Sequence, residues 1–342
     1  MLSSSTPAPP TTPRFATFNA SPISKVRVVP GGSGGRLPFV TGDSSGKVTL
    51  FSASTTANVA KPGALYTAQR HADTVLKANA VTDIAAVDPH TVVAADAAGV
   101  VHVVGIAADL ATLTLKSSFN PHAWGAVTAI HVQSSQVVSV GVDASVTFTD
   151  LSTLKKTTSI ADADSSALTG VKWRSAHEVV VSTDSGRLGL VDDRGKRVAS
   201  AFQDLQHPDI GLNCVAVHPS LQYSIATGCQ DGSVKVWDLR NLTYPEIQTF
   251  HPHSSEIWDI VFPSHDPTSL LTASQDGSIT QFKYNHNNMA DAFTKHRTSD
   301  KSANVKKVEG LGASVNSVDC FHEVEGLIVA GGDAGQVLVT NI

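Results

Sequence analysis

The sequence predicts an all-β fold, a seven-bladed β-propeller closed by its own two ends. Three observations lead there. A paired apolar motif recurs seven times along the chain. Alternating apolar runs precede most of its copies, and more polar runs separate them. Helical periodicity is almost absent; only 287–296 could form a short helical turn.

The repeat unit is an apolar run, a tight turn with Asp and usually Gly, then a second apolar run. Its copies begin at Phe39 (FVTGDSSGKVTLF), Val92 (VVAADAAGVVHVV), Val137 (VVSVGVDASVTFT), Val179 (VVVSTDSGRLGLV), Ile225 (IATGCQDGSVKVW), Leu270 (LLTASQDGSITQF) and Ile328 (IVAGGDAGQVLVT). Their turn aspartates run from Asp43 through Asp96, Asp143, Asp184, Asp231 and Asp276 to Asp333. The mean spacing of about 48 residues is near the ~40–45 of a propeller blade plus loops. Strands joined this tightly need positive φ in the turn, which Gly and Asp tolerate and β-branched residues do not.

Inner strands are expected upstream of the motif, as in VTAIHV at 127, LTGVKW at 168, LNCVAV at 212, IWDIVF at 257 and VNSVDCF at 315. Outer strands are expected in the polar runs between copies, such as TLTLKSSF at 112 and EIQTF at 246. The last strand, 337–342, lacks a following partner, and an uncovered edge invites aggregation. RFATFNA at 14–20 alternates suitably and is expected to cover it. Residues 1–13 are expected to be a disordered Ser/Thr/Pro-rich tail. One propeller then occupies 14–342, with an inserted loop at about 283–312 and a second unit expected at 71–106.

Composition narrows the function. Charged residues are 16%, apolar residues 41%, and the net charge is −5. A nucleic-acid binder would be strongly basic, so no direct nucleic-acid partner is expected. No apolar run approaches ~18 residues, so no membrane insertion is expected. Cys214, Cys229 and Cys320 lack CxxC spacing and sit in apolar runs, which suits buried reduced thiols. His251 and His253 stand two apart without a third ligand at zinc-like spacing. The GGSGG at 31–35 has no following Lys-Ser/Thr and opens no helix. No catalytic group, metal or cofactor is expected, and the chain is expected to be monomeric alone.

The fifth copy, DGSVKVWDLR, carries the Trp-Asp signature of WD40 repeats in Trp237 and Asp238. In such repeats a His ahead of the inner strand, a Ser or Thr, the turn Asp and the Trp form one hydrogen-bonded chain. Asp231, Trp237 and Asp238 are expected to serve this network in the fifth unit, and His253 and Asp276 in the sixth, where Phe282 replaces Trp.

Several stretches resemble successive repeats of the small WD-repeat nucleoporins, the roughly 43 kDa type of the Y-shaped outer-ring complex. They are residues 161–195, LNCVAVHPSLQYSIATGCQDGSVKVWDLRN at 212–241, and HSSEIWDIVFPSHDPTSLLTASQDGSI at 253–279, with ISKVRVVP at 23 and the closing VAGGDAGQVLVTNI also fitting. The resemblance implies a non-catalytic scaffold of the nuclear pore at the nuclear envelope. It also implies binding to other Y-complex nucleoporins, chiefly an α-solenoid subunit of about 85 kDa with its small β-propeller partner.

Candidate partner-binding residues are Glu256 and Trp258, which flank Ile257 at the start of an inner strand, and Trp124, ahead of another. Trp258 either meets a partner or packs on the next blade. Trp173 and Trp237 fall at packing positions. A competing reading comes from Trp237-Asp238-x-Arg240, the Trp-Asp-x-Arg pattern of substrate receptors for cullin-4-type ubiquitin ligases. An adaptor propeller in mRNA export or checkpoint signalling is a third.

Overall fold

The structure, a computed structural model, describes residues 15–17, 21–32, 35–55, 66–77, 79–195, 197–240, 242, 245–283, 305–308 and 310–342. These contain seven four-stranded antiparallel sheets and no helix among the described residues. After β1 (Phe15–Thr17), blade 1 comprises β2 (Ile23–Val28), β3 (Leu37–Asp43), β4 (Lys47–Thr55) and β5 (Tyr66–Val75). Blade 2 is β6 (Val81–Asp88), β7 (Thr91–Asp96), β8 (Val101–Ile106) and β9 (Leu113–Phe119). Blade 3 is β10 (Val127–Gln133), β11 (Gln136–Gly141), β12 (Val146–Asp150) and β13 (Lys155–Ile160). Blade 4 is β14 (Leu168–Trp173), β15 (Glu178–Thr183), β16 (Arg187–Asp192) and β17 (Arg197–Gln203). Blade 5 is β18 (Leu212–Val217), β19 (Ser224–Cys229), β20 (Val234–Asp238) and β21 (Glu246–Phe250). Blade 6 is β22 (Ile257–Val261), β23 (Ser269–Ser274), β24 (Ile279–Lys283) and β25 (Val305–Val308). Blade 7 is β26 (Val315–Cys320), β27 (Leu327–Gly332), β28 (Gln336–Asn341) and β1.

Three expectations need correction. The second unit does not begin at 71, because 71–75 complete the outer strand of blade 1. The expected insertion at 283–312 is not all loop. Val305 pairs with Phe282 and Val308 with Ile279, making 305–308 the outer strand of blade 6. Lys306 and Lys307 are exposed on that edge and hid the strand in a basic stretch. Residues 284–304, with the possible turn at 287–296, and the expected tail at 1–13 lie outside the described residues.

The third correction concerns the turns. Positive φ falls on Gly46, Gly99, Ala144, Gly186, Gly232, Gly277 and Gly335, and on none of the seven aspartates. Asp143, Asp231 and Asp276 directly precede that residue, whereas Asp43 and Asp96 end the strand before it. The carboxylates act as acceptors for turn amides. Asp43 Oδ1 takes the amides of Ser45 at 2.9 Å and Lys47 at 3.0 Å, and Asp276 Oδ1 takes that of Ser278 at 2.9 Å.

The middle strands are buried on both faces, so they bury their apolar side chains only against neighbouring blades. Seven apolar clusters result, one at each blade junction. At the junction of blades 7 and 1, Phe39 stacks on Phe51 at 5.3 Å and meets the edge of Phe321 at 6.1 Å. In the same region β1 pairs antiparallel with β28, Phe15 opposite Leu338 and Thr17 opposite Gln336. This paired span is shorter than the 14–20 expected, and 18–20 lie outside the described residues.

The inner strands lie side by side in a closed cycle around the axis. Side chains bridge them. In four blades the second residue of the inner strand donates to the carbonyl of the first residue of the next one, whereas Thr82 Oγ1 and Asn213 Nδ2 at the same position are buried without a partner among the described residues. Ser24 reaches Val81 at 2.5 Å, Thr128 reaches Leu168 at 2.6 Å, Thr169 reaches Leu212 at 2.5 Å, and Asn316 reaches Ile23 at 2.9 Å. Deeper along the axis, side chains accept the next blade's amides. Asp83 takes Ile130 N at 2.9 Å, Asp319 takes Val28 N at 2.8 Å, and Ser317 takes Val26 N at 3.1 Å. His131 Nδ1 takes Trp173 N at 3.1 Å, which requires an unprotonated nitrogen. Burial, with Lys172 and Arg27 nearby, holds the His131 pKa well below its usual value and so keeps it neutral.

Arg27 ties this axis across the closure. Its guanidinium lies 2.9 Å from Asp259 of blade 6 and 3.7 Å from Asp83 of blade 2, while Ser317 of blade 7 donates to the same Asp259 oxygen at 2.7 Å. Lys25 stands 3.4 Å from Asp259. Burial opposes both charges, yet the mutual attraction wins. Asp259, Asp83 and Asp319 raise the Arg27 pKa, and Arg27 and Lys25 hold Asp259 well below the usual carboxylate range.

Two outcomes test this architecture. A depressed carboxyl stabilises the fold fully above the unfolded value of about 3.9 and loses that contribution as pH falls through its folded value. Asp259→Asn should therefore cost about 3–5 kcal/mol at pH 7 and flatten the acid-side decline of Tm; an unchanged Tm contradicts the network. Deleting residues 1–12 should leave Tm unaltered. Deleting 1–21 should lower it by roughly 5–10 °C, and an unchanged value would show that β1 does not hold blade 7.

Candidate functional site

The expected hydrogen-bonded turn is divided between two blades. In blade 6, His253 Nδ1 lies 3.2 Å from Asp276 and 3.0 Å from Ser278, and its Nε2 lies 2.7 Å from Thr272. Phe282 is buried where Trp would stand. In blade 5, Trp237 is buried and donates to Thr227 at 3.0 Å, but among the described residues no His joins it. Asp231 accepts only from Ser233, through its amide at 2.9 Å and its hydroxyl at 2.6 Å, among the bonds described. The structure thus joins His253 to Asp276 and does not join Asp231 to Trp237. Asp238 also stands outside the network, since its carboxylate grips Arg240.

Blade 3 holds a His set that the sequence reading missed. His122 lies 2.9 Å from Asp143, 2.9 Å from Ser145 and 3.0 Å from Ser139. The signal was available: His122 precedes Asp143 by nearly the interval separating His253 from Asp276. Thr149 at the Trp position concealed it. Burial lowers the pKa of both histidines despite their aspartates, so the rings are neutral at pH 7. These are structural bonds, spent within each blade.

A buried ion pair also escaped notice. Lys235 Nζ lies 3.1 Å from Asp204, whose other close neighbour His207 is at 3.3 Å. A lysine at an inward position of VKVW demands a buried acid; the sequence does not say which loop supplies it.

The antiparallel meander puts two sets of connections on one face, here the upper face: the turns from second to third strands and the loops into inner strands. Trp124, in the loop before β10, is 91% exposed there. Trp258, the second residue of β22, is 36% exposed. It occupies the second inner-strand position, where Ser24, Thr128, Thr169 and Asn316 bridge to the next blade. Blade 6 gives up that bridge for an indole. Glu256 is half-buried beside it, and its carbonyl accepts Gln275 N at 2.9 Å. Trp173 is core, tilted on Phe148 at 5.5 Å.

Arg240 is on the opposite, lower face. Its Nε lies 2.8 Å from Asp238 Oδ2, a second guanidinium nitrogen meets the same carboxylate, and its carbon stands 4.9 Å over the Tyr223 ring. A fork closed on its own turn is poorly placed to engage an adaptor. The cysteines are buried and unlinked. Burial pushes the Cys229 thiol up to about 11 and raises Cys214 and Cys320 as well, so none is a ready nucleophile. No three His, Cys, Asp or Glu side chains are grouped to hold a metal among the described residues.

The fold and its bonded turns define a seven-bladed propeller of the WD-repeat class. The family model for the WD domain, G-beta repeat, matches residues 199–238 and 245–283. Each match starts in, or one residue before, one blade's outer strand and ends in the next blade's third strand. The structure resembles the solved WD40 beta propeller domain of Doa1, with a TM-score of 0.71 over 95% of each chain at 13% identity, a likeness of fold alone. Within this class the chain is similar to small WD-repeat nucleoporins. It is 31% identical over 153 residues to nucleoporin Nup43 of Homo sapiens, and equally to that of Mus musculus, covering 44% of this chain and 40% of those proteins. The nuclear pore complex protein nup43 of Dictyostelium discoideum is 24% identical over 198 residues, 56% of this chain and 47% of that protein. The matches thus span less than half of these relatives' own length.

Trp258→Ser separates the two roles open to that residue. Restoring a hydroxyl at the bridging position should keep Tm or raise it, by about 0.5–1.5 kcal/mol of stability. A loss of 2 kcal/mol or more, the order for a core aromatic, would make Trp258 a packing residue.

Proposed function

We propose that this propeller is a non-catalytic scaffold subunit of the nuclear-pore outer ring at the nuclear envelope. It binds other nucleoporins of the Y-shaped complex, chiefly the short-arm α-solenoid subunit of about 85 kDa with its small propeller partner, and so supports pore assembly and nucleocytoplasmic transport. The observation that carries this reading is the likeness to the nucleoporins named Nup43. The chemistry agrees with it. The described side chains with strongly shifted pKa values are engaged in turns, blade junctions and the axis, and the cysteines are held as buried thiols.

The ubiquitin-ligase reading fares worse, because Arg240 is already held by Asp238 and Tyr223. Affinity purification of the tagged chain tests the proposal. Recovery of outer-ring nucleoporins, with fluorescence at the nuclear rim, is the expected result. Recovery of a cullin-4 adaptor instead, abolished by Arg240→Ala, would overturn it.

A further inference from the structure

The upper face is predominantly acidic. Its second-to-third-strand turns carry Asp143, Asp184, Asp231, Asp276 and Asp333. Its loops into the inner strands add Asp162, Asp164, Asp209 and Glu256. Among the described residues these connections hold one lysine or arginine outside the strands, Lys77, and Lys156 of β13 reaches one of them, donating to Pro121 O at 2.7 Å. Two bases at adjoining strand ends are already paired, Arg187 with Asp164 and Lys47 with Asp73. The lower face is mixed, with Arg36, Arg174, Arg194 and Arg240 among its acids.

The same upper face exposes large apolar side chains. Leu205 is 82% exposed and Val142 48%, in addition to Trp124 and Trp258. Val142 lies against the loop that carries Trp124, because a Cβ on the neighbouring Gly125 would stand 2.3 Å from Val142 Cγ2. The loop carrying Asp162 is tied to the same turn through Ala163 N and Ala144 O at 2.9 Å. An exposed indole beside an apolar residue, rimmed by carboxylates, is the composition of a recognition surface.

We propose that the upper face, centred on Trp124 and Val142 beside Asp143 and Asp162, docks a basic protein segment that interleaves Lys or Arg with large apolar side chains. The chemistry selects this occupant. Carboxylates repel nucleic-acid phosphates and anionic lipid headgroups and attract ammonium and guanidinium groups. The indole needs an apolar counterpart that a purely basic tail would not supply. The inference deepens the scaffold reading and rests on it, by naming the face used and the chemistry of the segment it takes.

The test uses the full chain and a fluorescein-labelled synthetic amphipathic peptide of Lys and Leu, followed by anisotropy. A second peptide has Glu in place of Lys, and a third has Ser in place of Leu. The wild-type chain should bind the Lys/Leu peptide and neither of the others. Trp124→Ser should weaken binding about tenfold or more, and Asp162→Asn with Asp209→Asn should weaken it further and reduce its salt dependence. Circular dichroism should show both variants folded, since these side chains are exposed. No wild-type binding, equal binding of the Glu or Ser peptide, or binding unchanged in Trp124→Ser overturns the proposal. Purified outer-ring nucleoporins separate it from the scaffold reading. If they bind wild type and Trp124→Ser alike, the face is wrong and the scaffold reading stands. If they bind neither, the scaffold reading fails, and the peptide result still judges the face.

Discussion

The constraint on which this molecule depends is that its sheets are apolar on both faces. A four-stranded blade with two apolar faces cannot be dry alone. It buries one face against the blade before it and the other against the blade after it, which only a closed ring allows for every blade. The seven apolar clusters, one per junction, are that requirement made visible. Closure is therefore a condition of folding, and the junction of blades 7 and 1 is where the chain's distant parts must meet. Phe39, Phe51 and Phe321 pack there, and Arg27 connects Asp83 to Asp259 around the same axis.

The axis solves a different problem. Neighbouring inner strands need their free backbone groups satisfied, and an unpartnered buried amide or carbonyl costs about 1–3 kcal/mol. Short polar side chains at fixed strand positions meet that need from the adjacent blade. The carboxylates among them then need cations, which Arg27 and Lys25 supply. The scheme is not uniform: among the described residues Thr82 and Asn213 make no bridge, and blade 6 carries Trp258 at that position, on the face that also carries Trp124, Leu205 and the acidic turns.

Much of the fold was legible in the sequence. Seven copies of one motif fixed the blade number, and alternation placed inner strands such as VTAIHV and LTGVKW. Trp237 and Trp173 read correctly as core because they fall on the inward phase of their strands. What was less legible depended on distance in sequence or on disguise. The aspartates of the turns looked equivalent, but their offset from the positive-φ residue varies. Lys306 and Lys307 made an outer strand look like a loop. Lys235 announced a buried partner without identifying Asp204. The axial network joins residues 27, 83, 259 and 317, and no periodicity reveals which inner-strand polar groups will face one another. Of the candidate site residues, Trp124 could be read as surface from its place in the loop ahead of an inner strand, whereas the place of Trp258 near a strand start left partner contact and packing both open. The state of Arg240 could not be read either, because its closure onto Asp238 and Tyr223 is a matter of side-chain geometry.

The resulting picture is a closed ring whose polar chemistry is largely spent internally and whose upper face is acidic and exposes Trp124. Its central claim, that inner strands are held by side chains of the neighbouring blade, is open to residue-resolved amide hydrogen exchange. The amides of Val26, Val28 and Ile130 should exchange as slowly as those in the middle strands β3 and β7, because each is bonded across a blade junction. Exchange as fast as that of the exposed outer strands β9 and β13 would contradict the account.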